Sequence, residues 1–265
     1  MLEVKNLSAY TSSGKKLLEG ICFTAQQGIC TGITGPSGSG KTTLLKAILG
    51  VTGEAVSITN GEILLEGADL LKKTDAERRR LCGTELGFIP QNPMTAFNRY
   101  ISVGAQMSET FRKRLGLAKG DAKQLSVEML KSVNLPDTDR IYGACPGQLS
   151  GGMLQRVTVA ILLGLKPRYI LADEPTSALD EKNKQDFLMK RLNQLKGSAA
   201  ILFVSHDDSA IRQLCDEVMI LRNGNVVEKQ STNEIFLNPK NNWTKEFAAA
   251  SKEQNERVCT WSKSL

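Results

Sequence analysis

A glycine-rich loop that ends in Lys41 and Thr42 carries the first recognisable chemistry of this sequence. Residues 35–42 match the pattern Gly-x-x-x-x-Gly-Lys-Thr, whose backbone N–H groups converge on phosphate oxygens. Lys41 would reach the β and γ phosphates of a nucleotide, and the Thr42 hydroxyl would coordinate Mg²⁺. The predicted phosphate-binding residues are Gly35, Pro36, Ser37, Gly38, Ser39, Gly40, Lys41, Thr42 and Thr43.

Two adjacent carboxylates, Asp173 and Glu174, follow the short apolar run at 169–172. In α/β sheets the ligands bind at the carboxyl ends of the strands, so this pair is expected beside the phosphate loop. Asp173 would hold Mg²⁺ through water, and Glu174 would orient and deprotonate the attacking water. An acidic pair after a strand could also cap a helix, but the phosphate loop upstream favours the catalytic interpretation.

A second anion-binding helix start is predicted at Ser150, Gly151 and Gly152, which open the helical run at 153–163. Exposed N–H groups at such a helix start are suited to an anion. The chain already has one phosphate loop, so this second site would be most useful against the nucleotide of another subunit.

The string at 149–156, Leu-Ser-Gly-Gly-Met-Leu-Gln-Arg, resembles the LSGGxxQR signature of the ATP-binding cassette (ABC) ATPases. The resemblance covers nearly the whole chain and implies an α/β fold, with a P-loop NTPase (RecA-like) core, an antiparallel β subdomain and an ABC helical subdomain. It also implies an ATP hydrolase coupled to transmembrane transport, with ATP and Mg²⁺ as cofactors. The corresponding domains are a cassette at 1–230, with the helical subdomain inserted at about 92–160, and a C-terminal extension at 231–265.

The same resemblance assigns four further residues. Tyr10 matches the aromatic residue that stacks on adenine, and Gln91 matches the Q-loop glutamine that contacts Mg²⁺ or the water. His206, after the apolar run at 201–204, matches the switch histidine that contacts the γ-phosphate, and Asp180 matches the D-loop at the dimer interface. Without the family context, a lone Tyr or His is more often a packing or surface residue. The implied catalytic residues are Glu174, His206 and Gln91, and the implied Mg²⁺ ligands are Thr42, Gln91 and Asp173.

Three finer features resemble the ATPases of dipeptide, oligopeptide and nickel importers. Residues 91–98 are close to the pattern Q-[DN]-P-x-x-[AS]-[LF]-N-P, and residues 234–244 resemble F-x-N-P-x-H-P-Y-T. Met153 and Leu154 in the signature resemble the nickel branch. The positions that depart from these patterns are Arg99 in place of Pro, Asn241 and Asn242 in place of His-Pro, and Trp243 in place of Tyr.

The function favoured by this resemblance is to energise the uptake of nickel or another metal chelate, with dipeptide or oligopeptide import as the alternative. An exporter ATPase, or a soluble ABC ATPase acting on nucleic acid or ribosomes, agrees less well. The chain has one cassette, and residues 42–149 contain no sustained heptads.

An importer subunit of this kind would work at the cytoplasmic face of the cell membrane. Its partners would be a second ABC ATPase, identical or not, two transmembrane permeases and an extracytoplasmic substrate-binding protein, and no nucleic acid is expected. The residues of one cassette that would complete the nucleotide site of the other are Ser150, Gly151, Gly152 and Asp180.

The hydrophobic pattern predicts the elements that position these residues. A strand at 29–34 precedes the phosphate loop, a helix at 42–49 follows it, and alternating apolar strands and helices after Arg168 predict a parallel sheet. The Asn223-Gly224 pair predicts a tight hairpin. The residues predicted to form two helical stripes are Met107, Phe111 and Leu115, and Leu125, Met129 and Val133, with Pro136 ending the second helix.

Composition limits the domain count, the location and the kinds of metal site that the chain can have. The chain has 265 residues, 34 Lys+Arg against 28 Asp+Glu, a formal charge of +6 and 41% hydrophobic residues, which suits one large domain or a domain with a subdomain. Its apolar stretches fall short of the roughly 20 residues that span a bilayer, and no signal peptide is recognisable, so a cytoplasmic location is expected. One histidine excludes a site built from several histidines. The six cysteines, which form no CxxC pair, are predicted to be small buried residues, and Cys259 alone in the C-terminal region predicts no iron–sulfur cluster there.

Overall fold

A computed structural model of the chain describes residues 1–135, 137–177 and 182–261, and the side chains within these ranges except at 182–187 and 253–261. The predicted interface residue Asp180 and the predicted helix end at Pro136 lie outside the described residues. The strands are β1 (Leu2–Thr11), β2 (Lys16–Ala25), β3 (Cys30–Thr34), β4 (Val56–Leu65), β5 (Ala68–Asp69), β6 (Leu86–Ile89), β7 (Tyr169–Asp173), β8 (Ala200–Val204), β9 (Glu217–Arg222) and β10 (Asn225–Ser231). The α-helices are α1 (Lys41–Leu49), α2 (Asp75–Leu81), α3 (Val103–Leu115), α4 (Lys119–Ser132), α5 (Thr138–Gly143), α6 (Gly151–Leu165), α7 (Lys182–Lys196), α8 (Asp208–Leu214), α9 (Thr232–Leu237) and α10 (Asn242–Trp261).

Two sheets organise the molecule. In the larger one, with the order β10-β9-β3-β8-β7-β6, neighbouring strands are parallel apart from the β9–β10 hairpin. Asn223 and Gly224 join this hairpin with φ values of 49° and 79°, as the Asn-Gly pair predicts. The smaller sheet is antiparallel, with the order β2-β1-β4-β5. The parallel core with its separate antiparallel sheet confirms the predicted α/β fold.

Apolar side chains cover both faces of the larger sheet because successive residues of a strand point in opposite directions. In β7, Tyr169 and Leu171 pack into the core shared with α1 and the smaller sheet. Ile170 and Ala172 pack into the second core, on the face covered by helices α3 to α9. The parallel strands are therefore buried on both sides, and their carboxyl ends meet at one edge.

The helical stripes predicted for the middle of the chain are only partly correct. Met107 and Phe111 of α3 are fully buried, but Leu115, the last residue of the helix, is 37% exposed. In the second predicted stripe, Leu125 and Met129 of α4 are only partly buried, whereas Val133, directly after the helix, is fully buried. The buried residues of α4 are Ala122, Ser126 and Leu130. None of the helices in the described ranges is long and apolar enough to cross a membrane.

The cysteines do not share one environment. Cys30 and Cys215 are buried, as expected for small apolar residues, but Cys22 is exposed and the expectation is wrong there. Cys22 alternates with buried neighbours along β2 and so lies on the outer face, where its sulfur accepts a hydrogen bond from the backbone N–H of Asn6 at 3.1 Å. The side chain of Cys259 is outside the described part of the chain.

Candidate functional site

Two glycines set the shape of the phosphate loop between β3 and α1. Gly35 has a φ of 142°, and a β-carbon there would lie 1.9 Å from the carbonyl oxygen of Leu221 on β9. Gly40 has a φ of 105°, and a β-carbon there would lie 2.6 Å from the carbonyl oxygen of Leu17 on β2. Because backbone atoms cannot move aside as a flexible side chain can, both positions require glycine. Strands β2 and β9 therefore hold the loop from behind.

Lys41 is folded back across this loop. It is only 6% exposed, and its Nζ donates to the carbonyl oxygens of Gly35 and Pro36 at 2.8 and 3.0 Å. Burial lowers the pKa of Lys41, and the negative charges of Glu174 and Asp173 partly oppose that effect. The ammonium of Lys41 is suited to bind a phosphate group, which would add negative charge beside it in the loop.

Ser39 and Asp173 present groups that fit a phosphate and a cation. The Ser39 hydroxyl is buried, and no hydrogen-bond partner for it lies among the described residues. Thr42 Oγ1 donates to Asp173 Oδ1 at 3.1 Å. Burial raises the pKa of Asp173, and the hydrogen bond from Thr42 partly opposes that effect. Carboxylate and hydroxyl oxygens are ligands that Mg²⁺ accepts, so this corner of the loop fits Mg²⁺ together with nucleotide phosphates.

Gln91, Glu174 and His206 meet at the carboxyl edge of the larger sheet. Gln91 Nε2 donates to Glu174 Oε2 at 2.9 Å, and His206 Nε2 lies 2.9 Å from Glu174 Oε1. Each residue follows one of three adjacent strands, β6, β7 and β8, with the strand that carries Glu174 in the middle. Glu174 has a φ of 45°, and its backbone N–H donates to the carbonyl oxygen of Val204 at 2.9 Å. The structure thus brings together three residues that sequence analysis assigned separately.

The predicted second anion site lies at the start of α6. The Ser150 hydroxyl accepts a hydrogen bond from the N–H of Met153 at 3.2 Å and so caps its own helix. Gly151 and Gly152 are partly exposed. The N–H groups of this helix start are therefore offered to the surface.

One residue of the signature string, Gln155, was assigned no role from the sequence. Gln155 is 1% exposed, and its Nε2 donates to the carbonyl oxygen of Pro175 at 3.1 Å, which ties α6 to the segment directly after Glu174. The available signal was its place in the signature string at 149–156, where it stands among apolar residues that α6 buries, such as Leu154 and Val157.

Tyr10 lies near the end of β1 and is partly buried. Its register partners are Lys16 on β2 and Ser57 on β4. Lys16 directly precedes Leu17, whose carbonyl oxygen faces Gly40, so the register brings Tyr10 to the neighbourhood of the phosphate loop.

The family model described as ABC transporter matches residues 18–177 of the chain. The metal-staphylopine import system ATP-binding protein CntD of Staphylococcus aureus is 33% identical over 258 residues, which cover 97% of this chain and 95% of that protein. The oligopeptide transport ATP-binding protein OppD of Bacillus subtilis is 36% identical over 250 residues, which cover 92% of this chain and 70% of that protein.

Solved structures resemble the chain over a similar length. The dimeric structure of a bacterial ABC transporter cassette superimposes with a TM-score of 0.76 at 25% identity and covers 88% of this chain and 99% of that chain. A dimeric post-hydrolysis state of the same cassette, bound to ADP and Pi, gives a TM-score of 0.75 at 27% identity, with 88% and 99% covered.

Proposed function

Because the chain belongs to the ABC transporter family, we propose that it energises the uptake of nickel or another chelated metal. The chain is an importer ATPase that binds ATP and couples its hydrolysis to transport. We also propose the cargo, the roles of individual residues, the binding of Mg²⁺ and the composition of the complex.

The contacts made by Glu174 support the proposed role of this residue in ATP hydrolysis. Its two carboxylate oxygens are each held by a different neighbour, Gln91 on one side and His206 on the other. A carboxylate fixed in this way can accept the proton of a water molecule that lies beside it, while Gln91 and His206 keep it oriented. When bound, Mg²⁺ would neutralise phosphate charge, and Thr42, Asp173 and Gln91 are the residues that would hold it.

The signature helix supports a nucleotide site shared between two ATPase subunits. Ser150 is exposed and Gly151 and Gly152 are partly exposed at this helix start, and Gln155 links the helix to the segment after Glu174. In the proposed dimer these residues, with Asp180, complete the γ-phosphate site of a second subunit, identical or not.

An exposed apolar patch after Gln91 is the proposed permease contact. Met94, Tyr100 and Ile101 are 41%, 77% and 45% exposed. Gln106 of α3 holds this loop by donating to the carbonyl oxygens of Asn98 and Ile101 at 2.9 and 2.7 Å. Residues of α3, α4 and α5 line an open cavity of about 670 Å³. The proposal places the chain as a peripheral subunit at the cytoplasmic face of a membrane, with two permeases and an extracytoplasmic binding protein.

The permease contact can be tested by purification. Tyr100→Glu should lower the amount of permease that copurifies with the tagged chain, since a charge would replace an apolar contact. Val51→Glu is the matched control, because Val51 is also apolar and 60% exposed but follows α1. Equal recovery of permease with both variants would contradict the assignment.

The cargo proposal depends on two supports, the metal-import relative and the Met153-Leu154 pair of the signature. Leu154 is fully buried and Met153 packs against the same core, so neither residue contacts cargo. Peptide import is the second candidate, because the oligopeptide relative is similar to the same degree, at 36% against 33% identity.

Calorimetry on the cognate extracytoplasmic binding protein separates the two cargoes. We expect binding of nickel or of metal chelates and no binding of metal-free dipeptides or oligopeptides. Peptide binding without metal would replace the first candidate by the second. An uptake assay with the Glu174→Gln variant links the result to this chain, since cells carrying it should bind the cargo but not accumulate it.

A further inference from the structure

The segment that follows β10 is fastened to the end of α8. The backbone N–H of Thr232 donates to the carbonyl oxygen of Asp216 at 2.9 Å, and its hydroxyl donates to the carbonyl oxygen of Cys215 at 2.6 Å. Cys215 directly follows Leu214, the last residue of α8. The start of α9 therefore moves with the end of α8.

An aromatic cluster joins α8, α9 and α10. The guanidinium carbon of Arg212 lies 3.6 Å from the ring centroid of Phe236, which is 1% exposed. Phe247 of α10 lies 5.9 Å from Phe236 and stacks on Trp243 at 5.6 Å. This cation–π contact joins an exposed guanidinium to a buried ring, and it favours one orientation of α8 relative to α9.

A buried carboxylate fixes the entry into α10. Glu228 of β10 accepts hydrogen bonds from the backbone N–H groups of Lys240 and Asn241 at 2.9 and 3.0 Å. Burial alone would raise the pKa of Glu228, but these hydrogen bonds and the one from Gln230 outweigh it and lower the pKa. The carboxylate is thus held in its charged form and anchors the turn before the helix.

The buried face of α10 reaches the start of α8. Thr244, Ala248 and Ser251 are all 3% exposed or less and recur at the spacing of one helical face. Ser251 lies near Asp208, the first residue of α8, although no hydrogen bond joins the two side chains. Burial raises the pKa of Asp208, and the Ser251 hydroxyl and the charge of Arg212 oppose that effect.

The start of α8 in turn determines where His206 lies. Asp207 accepts hydrogen bonds from the N–H groups of Ser209 and Ala210 at 2.9 and 3.2 Å, and its own N–H donates to Ser205 Oγ at 3.0 Å. His206 sits within this turn, and its side chain is 44% exposed. Because α8 has only 7 residues, its position depends on the elements that pack against it.

We propose that residues 231–251 form a C-terminal brace that positions His206 for hydrolysis by clamping α8 at Arg212 and at Cys215, directly after its last residue. The inference rests on the proposed role of His206. The brace residues are positioning residues, since they act through α8 and not on the reacting atoms. Loosening the brace should slow hydrolysis without weakening nucleotide binding at the phosphate loop, since no hydrogen bond or ring contact joins the described residues of the brace to that loop.

Phe236→Ala tests the brace in the full chain within its transporter. We expect the kcat for ATP hydrolysis to fall about tenfold, the order of loss that follows when a catalytic group is slightly misplaced. KM for ATP should stay within about twofold of the unaltered transporter. Leu237→Ala is the matched control, because Leu237 is the next residue of α9 but 63% exposed, and it should leave both constants unchanged.

Arg212→Gln and Thr232→Ala, which removes the hydroxyl bonded to the Cys215 carbonyl oxygen, are gentler variants that keep the test valid if Phe236→Ala fails to fold. Each removes one contact to α8 or to the residue directly after it and should lower kcat in the same direction, by a smaller factor. The single histidine gives a second readout, because the only imidazole signal in the NMR spectrum of the full chain belongs to His206. We expect this signal to shift or broaden in all three brace variants and to stay unchanged in Leu237→Ala.

His206→Ala distinguishes failure of the proposed role of His206 from failure of the proposed brace. If His206→Ala hydrolyses ATP at the unaltered rate, the proposed role of His206 fails, whatever the brace does. If His206→Ala is inactive while folded brace variants keep both their kcat and their imidazole signal, the brace inference is overturned and the catalytic proposal stands.

Discussion

The phosphate loop and the signature helix both present glycines and N–H groups at a helix start, but their surroundings differ. Around the loop, the chain supplies two carbonyl oxygens at its back, the buried Lys41 and the Thr42–Asp173 pair. At the start of α6, Ser150 caps its own helix and Gly151 is partly exposed. The loop has its partners within one chain, whereas the signature helix offers its groups outward.

The two sets of glycines show the same contrast. Gly35 is required by its own fold, because a β-carbon would clash with the backbone of Leu221. At Gly151 a β-carbon would meet no atom of the described chain within 4 Å. A helical glycine costs about 0.5–1 kcal/mol relative to alanine, so the fold of this chain alone does not explain Gly151. The open space beside Gly151 is what the proposed shared site would need.

The largest effect is expected at the phosphate loop and the carboxylates beside it, because this part of the site lies within one chain. Glu174→Gln should retain ATP binding and lower ATP turnover by about 10³-fold, because the water loses its base. Steady-state hydrolysis and nucleotide binding measure the two quantities separately. Glu128→Gln, on the exposed surface of α4, is the matched control and should hydrolyse normally. Turnover near normal in Glu174→Gln would refute the assigned role.

Ser150→Arg tests the signature helix, which in the proposed dimer acts on the nucleotide of a second ATPase subunit. A bulky cation at the helix start should lower turnover of the assembled transporter about 10²-fold by blocking closure of the dimer. ATP binding by an isolated chain should stay intact, which equilibrium binding can check. The same change at Ser198, an exposed residue at the opposite edge of the larger sheet, should leave turnover unchanged. Loss of ATP binding by the isolated Ser150→Arg chain would mean that the site acts within one chain.

Lys41→Met sharpens the description of the phosphate loop. Burial lowers the pKa of Lys41, so its charge is disfavoured by the nucleotide-free fold, and removing it should leave the Tm of the free chain unchanged or higher. ATP at about 100 times its Kd should stabilise the unaltered chain by about 2.7 kcal/mol, and Lys41→Met should lose that gain. Lys46→Met, at an exposed position of α1, should keep it in the same thermal-shift measurement. A full shift in Lys41→Met would contradict the phosphate contact.

Gly151→Ala gives the smallest and most diagnostic effect. The free chain should become more stable by about 0.5–1 kcal/mol, since alanine favours the helix and finds open space. Turnover of the transporter should nevertheless fall by up to about tenfold, because the partner nucleotide loses close approach. Gly143→Ala in α5, which also has open space, should gain stability without loss of turnover. Undiminished turnover in Gly151→Ala would remove the contrast between the two helix starts.

Local chemistry made much of the site predictable from sequence. The phosphate loop, the acidic pair after an apolar run and the signature each combine neighbouring residues whose types already imply their chemistry. The strand before the loop, the helix after it and the Asn223-Gly224 hairpin were predicted almost to the residue, because caps and turns depend on local backbone geometry.

Long-range relations were decided only by the tertiary structure. Gln91 and His206 meet Glu174 because β6, β7 and β8 are adjacent, and strand order cannot be read from the spacing of residues along the chain. Cys22 is exposed because the core covers the opposite face of β2. The polar C-terminal segment became a clamp on α8 through contacts such as Arg212 with Phe236. The sequence by itself determined which groups the site contains, because their chemistry is local. Packing alone determined which of them touch, because contacts between distant residues depend on how the sheet and its helices assemble.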